Sequence, residues 1–375
     1  MSAKERVISD QEDAKLKKIQ VEDLIIGMYV AGLDRPWLET PFAIQGFYVR
    51  SSGSIERISK ICDHVFVDPR RYDTSLVDKR HTPARRVHEP RKSRKPREIS
   101  VLPAKRYPHE ESVELADEIK PAKAALEQAV TIVDECLSRL AHGGSLDADA
   151  VQGSIKPIVA SVIRNKEAAA ALVRMRDFDN YTYSHAIACS VWAALLGKEL
   201  GYPPEDMELL AFGCALIDIG KTKLPPELLS QTSPPTKAQL ATLMKHVEFG
   251  LEIAIEAGLR DVNVGNIIKT HHERFDGSGY PNGLRNSEIP IFGRIAGLVD
   301  SYDAMISPRP YQPARPSYQA LLELERNGDE LFQKELVEYF ISAIGIFPVG
   351  AVVELNTGEV GVVVQQHPDR RLRPK

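Results

Sequence analysis

From Glu111 to Ser342 the apolar residues recur mainly at helical spacing, and this run restricts the fold more than any other feature of the chain. In Ala124–Leu140, for instance, Leu126, Val130, Val133, Leu137 and Leu140 form one stripe, and Gly143-Gly144 stops the helix. The same spacing predicts helices over Asp147–Arg164, Ala168–Met175, His185–Leu200, Met207–Ile217, Thr236–Ile255 and Val262–His272. Three more are expected over Gly293–Met305, Ser317–Asn327 and Lys334–Ala343, whereas Leu224–Pro235 is too rich in proline to be one helix. The expected fold class is therefore mainly α, with an all-helical domain over residues 110–345.

The flanks have other textures. Residues 1–14 are polar and expected to be disordered. Over 15–70, the short β-prone runs Ile19-Gln20-Val21, Met28-Tyr29-Val30, Phe47-Tyr48-Val49-Arg50 and His64-Val65-Phe66-Val67 are separated by Gly27, Pro41, Gly46 and Gly53. With one helix over Ser54–Cys62, they predict a small β-rich (α+β) domain, in which Trp37 is a core or interface anchor rather than a ligand platform. Residues 71–109 read as a basic, proline-rich linker: Arg70–Arg106 holds 13 Lys/Arg against 4 Asp/Glu, with Pro83, Pro90, Pro96 and Pro103. Without interleaved aromatics this tract is expected to be solvated rather than to grip a nucleic acid polymer or anionic lipid. Residues 346–375 alternate around Thr357-Gly358 and predict a β-hairpin, marginal unless it packs on the helices or belongs to a longer protein. The four cysteines form no CxxC pair, and no run approaches the roughly 18 apolar residues of a membrane span, so a cytoplasmic protein is expected.

The chemistry-bearing residues are concentrated in the helical part. His185, Asp218, His246, His271, His272 and Asp300 each interrupt an apolar helical run, where packing alone does not call for an ionisable side chain. A lone histidine in such a place is usually a hydrogen-bonded core residue, but six potential ligands together point to metal. Adjacent helical residues point about 100° apart, so His271 and His272 suit two neighbouring ions better than one. Imidazoles and carboxylates without thiolate favour iron or manganese, with nickel or zinc next. A carboxylate such as Asp218 can bridge two ions that activate water for phosphodiester cleavage. Lys221, one turn later, is placed for a substrate phosphate.

The stretch His271-His272-Glu273-Arg274-Phe275-Asp276-Gly277-Ser278-Gly279-Tyr280-Pro281 resembles the signature of HD-GYP domains, a branch of the HD phosphohydrolases. The likeness extends through Asp300-Ser301-Tyr302-Asp303-Ala304-Met305 and Arg309-Pro310-Tyr311, and back through His246-Val247-Glu248-Phe249-Gly250, Asp218-Ile219-Gly220-Lys221 and Tyr181–His185, giving a motif core over 177–345. The segment Lys18–Arg70 also resembles a domain of uncharacterised role often found ahead of HD-GYP in bacterial proteins. The resemblance implies a bacterial signalling enzyme that hydrolyses cyclic di-GMP to pGpG or GMP on a centre of two or three divalent ions. It implies metal ligation by His185, Asp218, His246, His271, His272 and Asp300, with Asp218 and Lys221 as catalytic residues. Phosphate contacts by Lys221 and Arg309 are implied too, as is a substrate-shaping loop of Asp276, Gly277, Gly279, Tyr280 and Pro281 that meets diguanylate cyclase (GGDEF) domains in some members.

Two positions depart from the family pattern. The dyad that should read His-Asp is Ile217-Asp218, and Tyr181 stands where three-metal members carry Glu, which favours two ions. An isoleucine donates nothing, so the ion shared by His185, Asp218 and Asp300 is expected to be the weaker one. This leaves open a phosphodiesterase impaired at that ion, a catalytically silent module that binds cyclic di-GMP or a cyclase partner, and a phosphohydrolase for another nucleotide such as a different cyclic dinucleotide.

Overall fold

The computed structural model describes residues 16–35, 40, 47–49, 52–72, 101–175, 181–308, 314–355, 357–366 and 374–375. Expectations for residues 1–14, Trp37, most of the basic linker and Arg309 lie outside these. The chain divides into two compact units, one containing the β-rich segment and the other spanning Pro96–Gln366.

The first unit is an antiparallel sheet of four strands, β1 (Lys17–Gln20), β2 (Met28–Leu33), β3 (Phe47–Tyr48) and β4 (His64–Tyr72), in the order β1-β4-β2-β3. Helix α1 (Ser52–Ser59) accompanies them. Alternation places Val65 and Val67 of β4 inward, where Ile19, Val30, Val49 and Ile58 complete a small core. Ile19 lies opposite Val65 in the β1–β4 register. Strand β1 starts two residues before the expected run, and Val21 already opens a short 3-10 turn.

The second unit is helical, as the periodicity predicts: α2 (Leu115–Ala141), α3 (Ala148–Arg164), α4 (Lys166–Arg174), α5 (Tyr181–Leu200), α6 (Pro204–Ala215), α7 (Pro226–Leu229), α8 (Lys237–Met244), α9 (His246–Glu256), α10 (Val262–Thr270), α11 (Ile291–Ile306), α12 (Ser317–Arg326) and α13 (Lys334–Ile344). From His185 to Leu196 every residue of α5 is buried, which makes α5 the central helix of the unit. Asp147 and Asn165 accept backbone N–H groups at the starts of α3 and α4, and Arg164 clamps Glu118 through two bonds of 2.8 and 2.6 Å, fixing α3 to α2.

Three expectations change. The helix foreseen over Thr236–Ile255 is two, broken at Lys245, so that His246 is the first residue of α9. Helix α10 stops at Thr270, just before the histidine pair. The end of the expected linker is packed rather than solvated: Val101 is buried, its carbonyl accepts the Tyr202 hydroxyl at 3.1 Å, and Tyr107 N–H reaches the Gly201 carbonyl at 2.7 Å. The predicted hairpin forms as β5 (Val352–Glu354) and β6 (Val360–Val362), and it is tied to the helices by buried Val349 and Val363 and by Gln366, whose N–H donates to Glu167 at 3.2 Å. No helix among the described residues is long and apolar enough to cross a membrane.

Candidate metal centre

Five elements converge on one buried cluster. His185 comes from α5 and Asp300 from α11, Asp218 sits at the entry of the 3-10 turn Ile219–Lys223 after α6, His246 begins α9, and His271-His272 follow α10. His185, Asp218, His246, His271 and Asp300 are all buried. Gly220 makes this convergence possible, because a methyl group there would run into the His246 carbonyl. The glycine lets the turn carrying Asp218 lie directly against the start of α9.

His271 and His272 stand just past the end of α10, where the backbone at His271 is still helical, and their rings lie 4.1 Å apart by centroid. His246, His271 and His272 each offer a ligand atom, all within 4.8 Å of one another. Three imidazoles can thus share one ion.

Hydrogen bonds fix the tautomers. His246 Nδ1 lies 2.7 Å from the Leu243 carbonyl and His271 Nδ1 2.9 Å from the Ile268 carbonyl. A carbonyl only accepts, so each Nδ1 carries the proton and each Nε2 of the neutral ring is a bare lone pair. The two Nε2 atoms nevertheless face each other at 3.4 Å, with Asp218 Oδ1 3.6 Å from that of His246. Acceptors held this close without a proton between them are what a cation requires. His185 repeats the pattern: its Nδ1 lies 2.7 Å from Asp303 Oδ2, and its Nε2 is 3.0 Å from Asp300 Oδ1 and 3.9 Å from Asp218 Oδ2. Asp218 therefore stands between the His185 side and the His246 side, and Asp300 reaches from His185 to His272, whose Nδ1 is 3.9 Å away. The donor set fits hard or borderline divalent ions.

Protonation agrees with this. Burial pushes His246, His271 and His272 below the ordinary imidazole value, His271 to about 4, so all three rings are neutral at pH 7 and able to ligate. Burial alone would raise Asp218 and Asp300. Both nevertheless lie below the ordinary carboxylate value, Asp218 with the Lys221 ammonium beside it, so both carboxylates are ionised.

Three residues that the sequence does not single out support the cluster. Asp303, one turn after Asp300, is fully buried and accepts His185 at 2.7 Å, Trp192 Nε1–H at 2.9 Å and the Ser307 hydroxyl at 3.2 Å. The i, i+3 spacing of the two aspartates on α11 was the available signal. Cys189, one turn after His185, brings its sulfur to 3.7 Å from the His185 ring. Burial pushes its thiol up to about 12, so it remains protonated and is no thiolate ligand. Buried Glu273 accepts the backbone N–H groups of Asn282 and Leu284 at 2.8 and 2.9 Å, which ties the glycine loop to the histidine pair.

A cavity of about 620 Å³ opens over the cluster, within the roughly 300–1,000 Å³ range of ligand sites. His185, Asp218, His246, His272 and Asp300 line it, together with Lys221, whose ammonium donates to Asp218 at 2.6 Å. Of the loop expected to shape the site, Tyr280 lines the cavity and stacks on His272 at 4.6 Å. Asp276 instead caps its own turn by accepting Ser278 N–H at 2.8 Å, and Gly277, Gly279 and Pro281 stand outside the lining. Arg309 is outside the described residues. Ile217, beside Asp218, is wholly buried.

Residues 16–151 match a domain of unknown function (DUF3391), and residues 162–336 match the HD domain family. The first match runs beyond the sheet into α2, whose Leu137, Ser138 and Ala141 line one wall of the cavity. A cyclic di-GMP phosphodiesterase of Pseudomonas aeruginosa is 29% identical over 365 residues, covering 96% of this chain and 84% of that protein. A cyclic di-GMP phosphodiesterase of Thermotoga maritima is 34% identical over 164 residues, covering 44% of this chain and 45% of the relative. The cyclic di-GMP phosphodiesterase response regulator RpfG of Xanthomonas campestris is 32% identical over 177 residues, with 47% of each chain covered. The chain thus spans most of the first relative and under half the length of the other two.

Proposed function

We propose that this chain, whose residues 162–336 match the HD domain family, is a metal-dependent phosphodiesterase of the HD-GYP type that cleaves cyclic di-GMP to pGpG or GMP. The observation that carries the reading is the convergence of unprotonated imidazole nitrogens and ionised carboxylates on one dinucleotide-sized cavity. The names of the three relatives point to the same substrate.

His246, His271 and His272 with Asp218 would hold one divalent ion, and His185 with Asp218 and Asp300 a second, iron or manganese being favoured by the donor set. Such ions supply Lewis-acid stabilisation of the phosphodiester and a water nucleophile at neutral pH. The chain's own residues do the positioning. Asp303 keeps the proton of His185 on Nδ1 and so aims Nε2 into the cluster. Lys221, at the cavity wall, brings a positive charge to the phosphate oxygens. Tyr280 holds His272 in place by stacking and gives a flat surface to a guanine base. We assign a further substrate contact to Arg309, a supporting role behind Tyr280 to the loop residues Asp276, Gly277, Gly279 and Pro281, and a meeting point for a diguanylate cyclase domain to the exposed loop residues Asp276 and Ser278.

The test is to purify the protein, measure bound metal per chain, and follow cyclic di-GMP by chromatography with manganese or iron added. Product that disappears in Asp218→Ala supports the reading. Micromolar binding of the dinucleotide with no product under any metal overturns it. That result would establish the second reading, a silent binding module, which Ile217 favours because it removes a donor from the His185 side of the cluster.

A further inference from the structure

The cavity over the histidine cluster has more wall than the metal chemistry uses. Beyond the metal candidates, Lys221 and Tyr280, its lining is mostly apolar and comes from the end of α2 and from the segment carrying α7 and α8. Helices α7 and α8 bury none of their residues, and Leu229 and Leu240, both in the lining, are each 43% exposed. Covering such side chains with an apolar ligand group is favourable, and a largely apolar wall with a few polar atoms is how small-molecule sites are built.

The end of α2 supplies the polar atoms. Leu137, Ser138, Ala141 and the C-cap residue His142 recur at the spacing of one helix face, and all four line the cavity. His142 Nδ1 lies 2.7 Å from the Ser138 carbonyl, which only accepts, so Nδ1 carries a proton and Nε2 is the nitrogen left for a ligand. Among the described residues neither His142 Nε2 nor the Ser138 hydroxyl has a protein partner. This end of α2 lies outside the HD match at residues 162–336 and inside the match to the domain of unknown function at residues 16–151.

A cyclic dinucleotide brings two bases to this cavity, and Tyr280 offers a flat surface to one of them. Proteins that hold a base outside a stack place apolar or aromatic side chains on its faces and hydrogen bonds on its Watson–Crick edge. The remaining wall has both elements. We propose that it is the subsite for the second guanine of cyclic di-GMP, with the base against Leu137, Leu229 and Leu240 and its edge toward His142 Nε2 and the Ser138 hydroxyl. An imidazole lone pair suits guanine, whose N1–H and 2-amino group lie side by side, and opposes adenine, whose N1 is itself a lone pair. His142 is thus a specificity-determining residue on a segment that the HD match does not include. This subsite rests on the reading of cyclic di-GMP as the cavity's ligand, turned over or only held.

Calorimetry on the full chain with manganese added, using a slowly hydrolysed phosphorothioate analogue of cyclic di-GMP, reads binding apart from turnover. Leu229 and Leu240 are half-exposed, so the double variant Leu229→Ser with Leu240→Ser should fold and hold manganese as the unaltered protein does. It should bind the analogue at least about tenfold more weakly. His142→Ala should weaken binding about fivefold. It should also narrow the preference over the matching cyclic di-AMP analogue, which the unaltered protein should bind at least about tenfold more weakly. Leu355→Ser, at an exposed leucine just after β5, should change nothing. No binding of the guanine analogue by the unaltered protein would overturn the cyclic di-GMP reading and this subsite with it. Full affinity in the leucine double variant or in His142→Ala, equal affinity for the two analogues, or an equal loss in Leu355→Ser would overturn the subsite alone.

Discussion

Asp303→Asn isolates the support of the cluster from the cluster itself. Asparagine keeps the size and can still accept from Trp192 Nε1 through its remaining oxygen, as Asp303 Oδ1 does at 2.9 Å. On the other side, the carboxylate oxygen that accepts from His185 Nδ1 at 2.7 Å becomes an amide that only donates. To accept that donor, His185 must move its proton to Nε2, the nitrogen that faces Asp218 and Asp300. A protonated Nε2 cannot ligate. Losing a partner of this kind typically costs about 10- to 100-fold in metal affinity, which is about 1.4–2.7 kcal/mol. The burial of Asp303 and the loss of a charged acceptor put a destabilisation of about 1.5–3 kcal/mol beside it. Manganese titration by calorimetry at pH 7 reads the first quantity and denaturant unfolding of the metal-free protein reads the second. The tautomer argument predicts that the ion at His185 weakens while the ion at His246, His271 and His272 does not. Equal weakening of both, or of neither in a well-folded variant, would refute it.

Asp218→Ala should remove metal from both sides, because Asp218 lies between His185 and His246; elemental analysis showing full metal would sink the bridging role. Ile217→His should raise metal content and turnover by restoring a donor beside Asp218, and unchanged values for both would mean that the His185 side never lacked one. The metal-free protein should lose stability on acidification. His271 in the unfolded chain takes a proton near 6.5, but in the folded protein only near 4, so the unfolded state binds more protons across that window and stability falls as pH drops through it. The loss is on the order of 3 kcal/mol, and below about pH 4 the depressed carboxyls of Asp218 and Asp300 add to it. Thermal unfolding between pH 7 and 4 measures the trend, and a melting temperature that stays flat would contradict the neutral burial of His271.

The helical class and most helix positions were legible because apolar spacing is set by burial, and burial follows the fold. What spacing does not report is where a helix stops for local reasons. Periodicity carried one helix through His272 and another unbroken through Lys245, whereas α10 ends at Thr270 and α9 starts at His246, so these histidines stand at helix ends rather than inside helices. The six metal candidates were readable as ionisable residues in apolar runs. Asp303 was not, because an acceptor that never faces the cavity differs from Asp300 only in its partners, and partners are a property of the packed structure.

Ile217 bears on turnover against silent binding through the geometry of what remains. An imidazole at that position would have added a fourth protein donor to the His185 side, where Nε2 already meets two carboxylates. Catalytic metals keep an open position by design, so three protein ligands with water in the fourth place form a competent coordination shell. The His246 side is untouched by the substitution, since its three imidazoles and Asp218 Oδ1 come from other elements. Lys221, Tyr280 and the Glu273-anchored loop also remain in place around the cavity. A protein kept only for recognition would not need Asp303 to hold His185 in the ligating tautomer, because a bound dinucleotide does not require Nε2 to be bare. The buried carboxylate that accepts His185 Nδ1–H, and with it Trp192 and Ser307, therefore suits the reading with turnover.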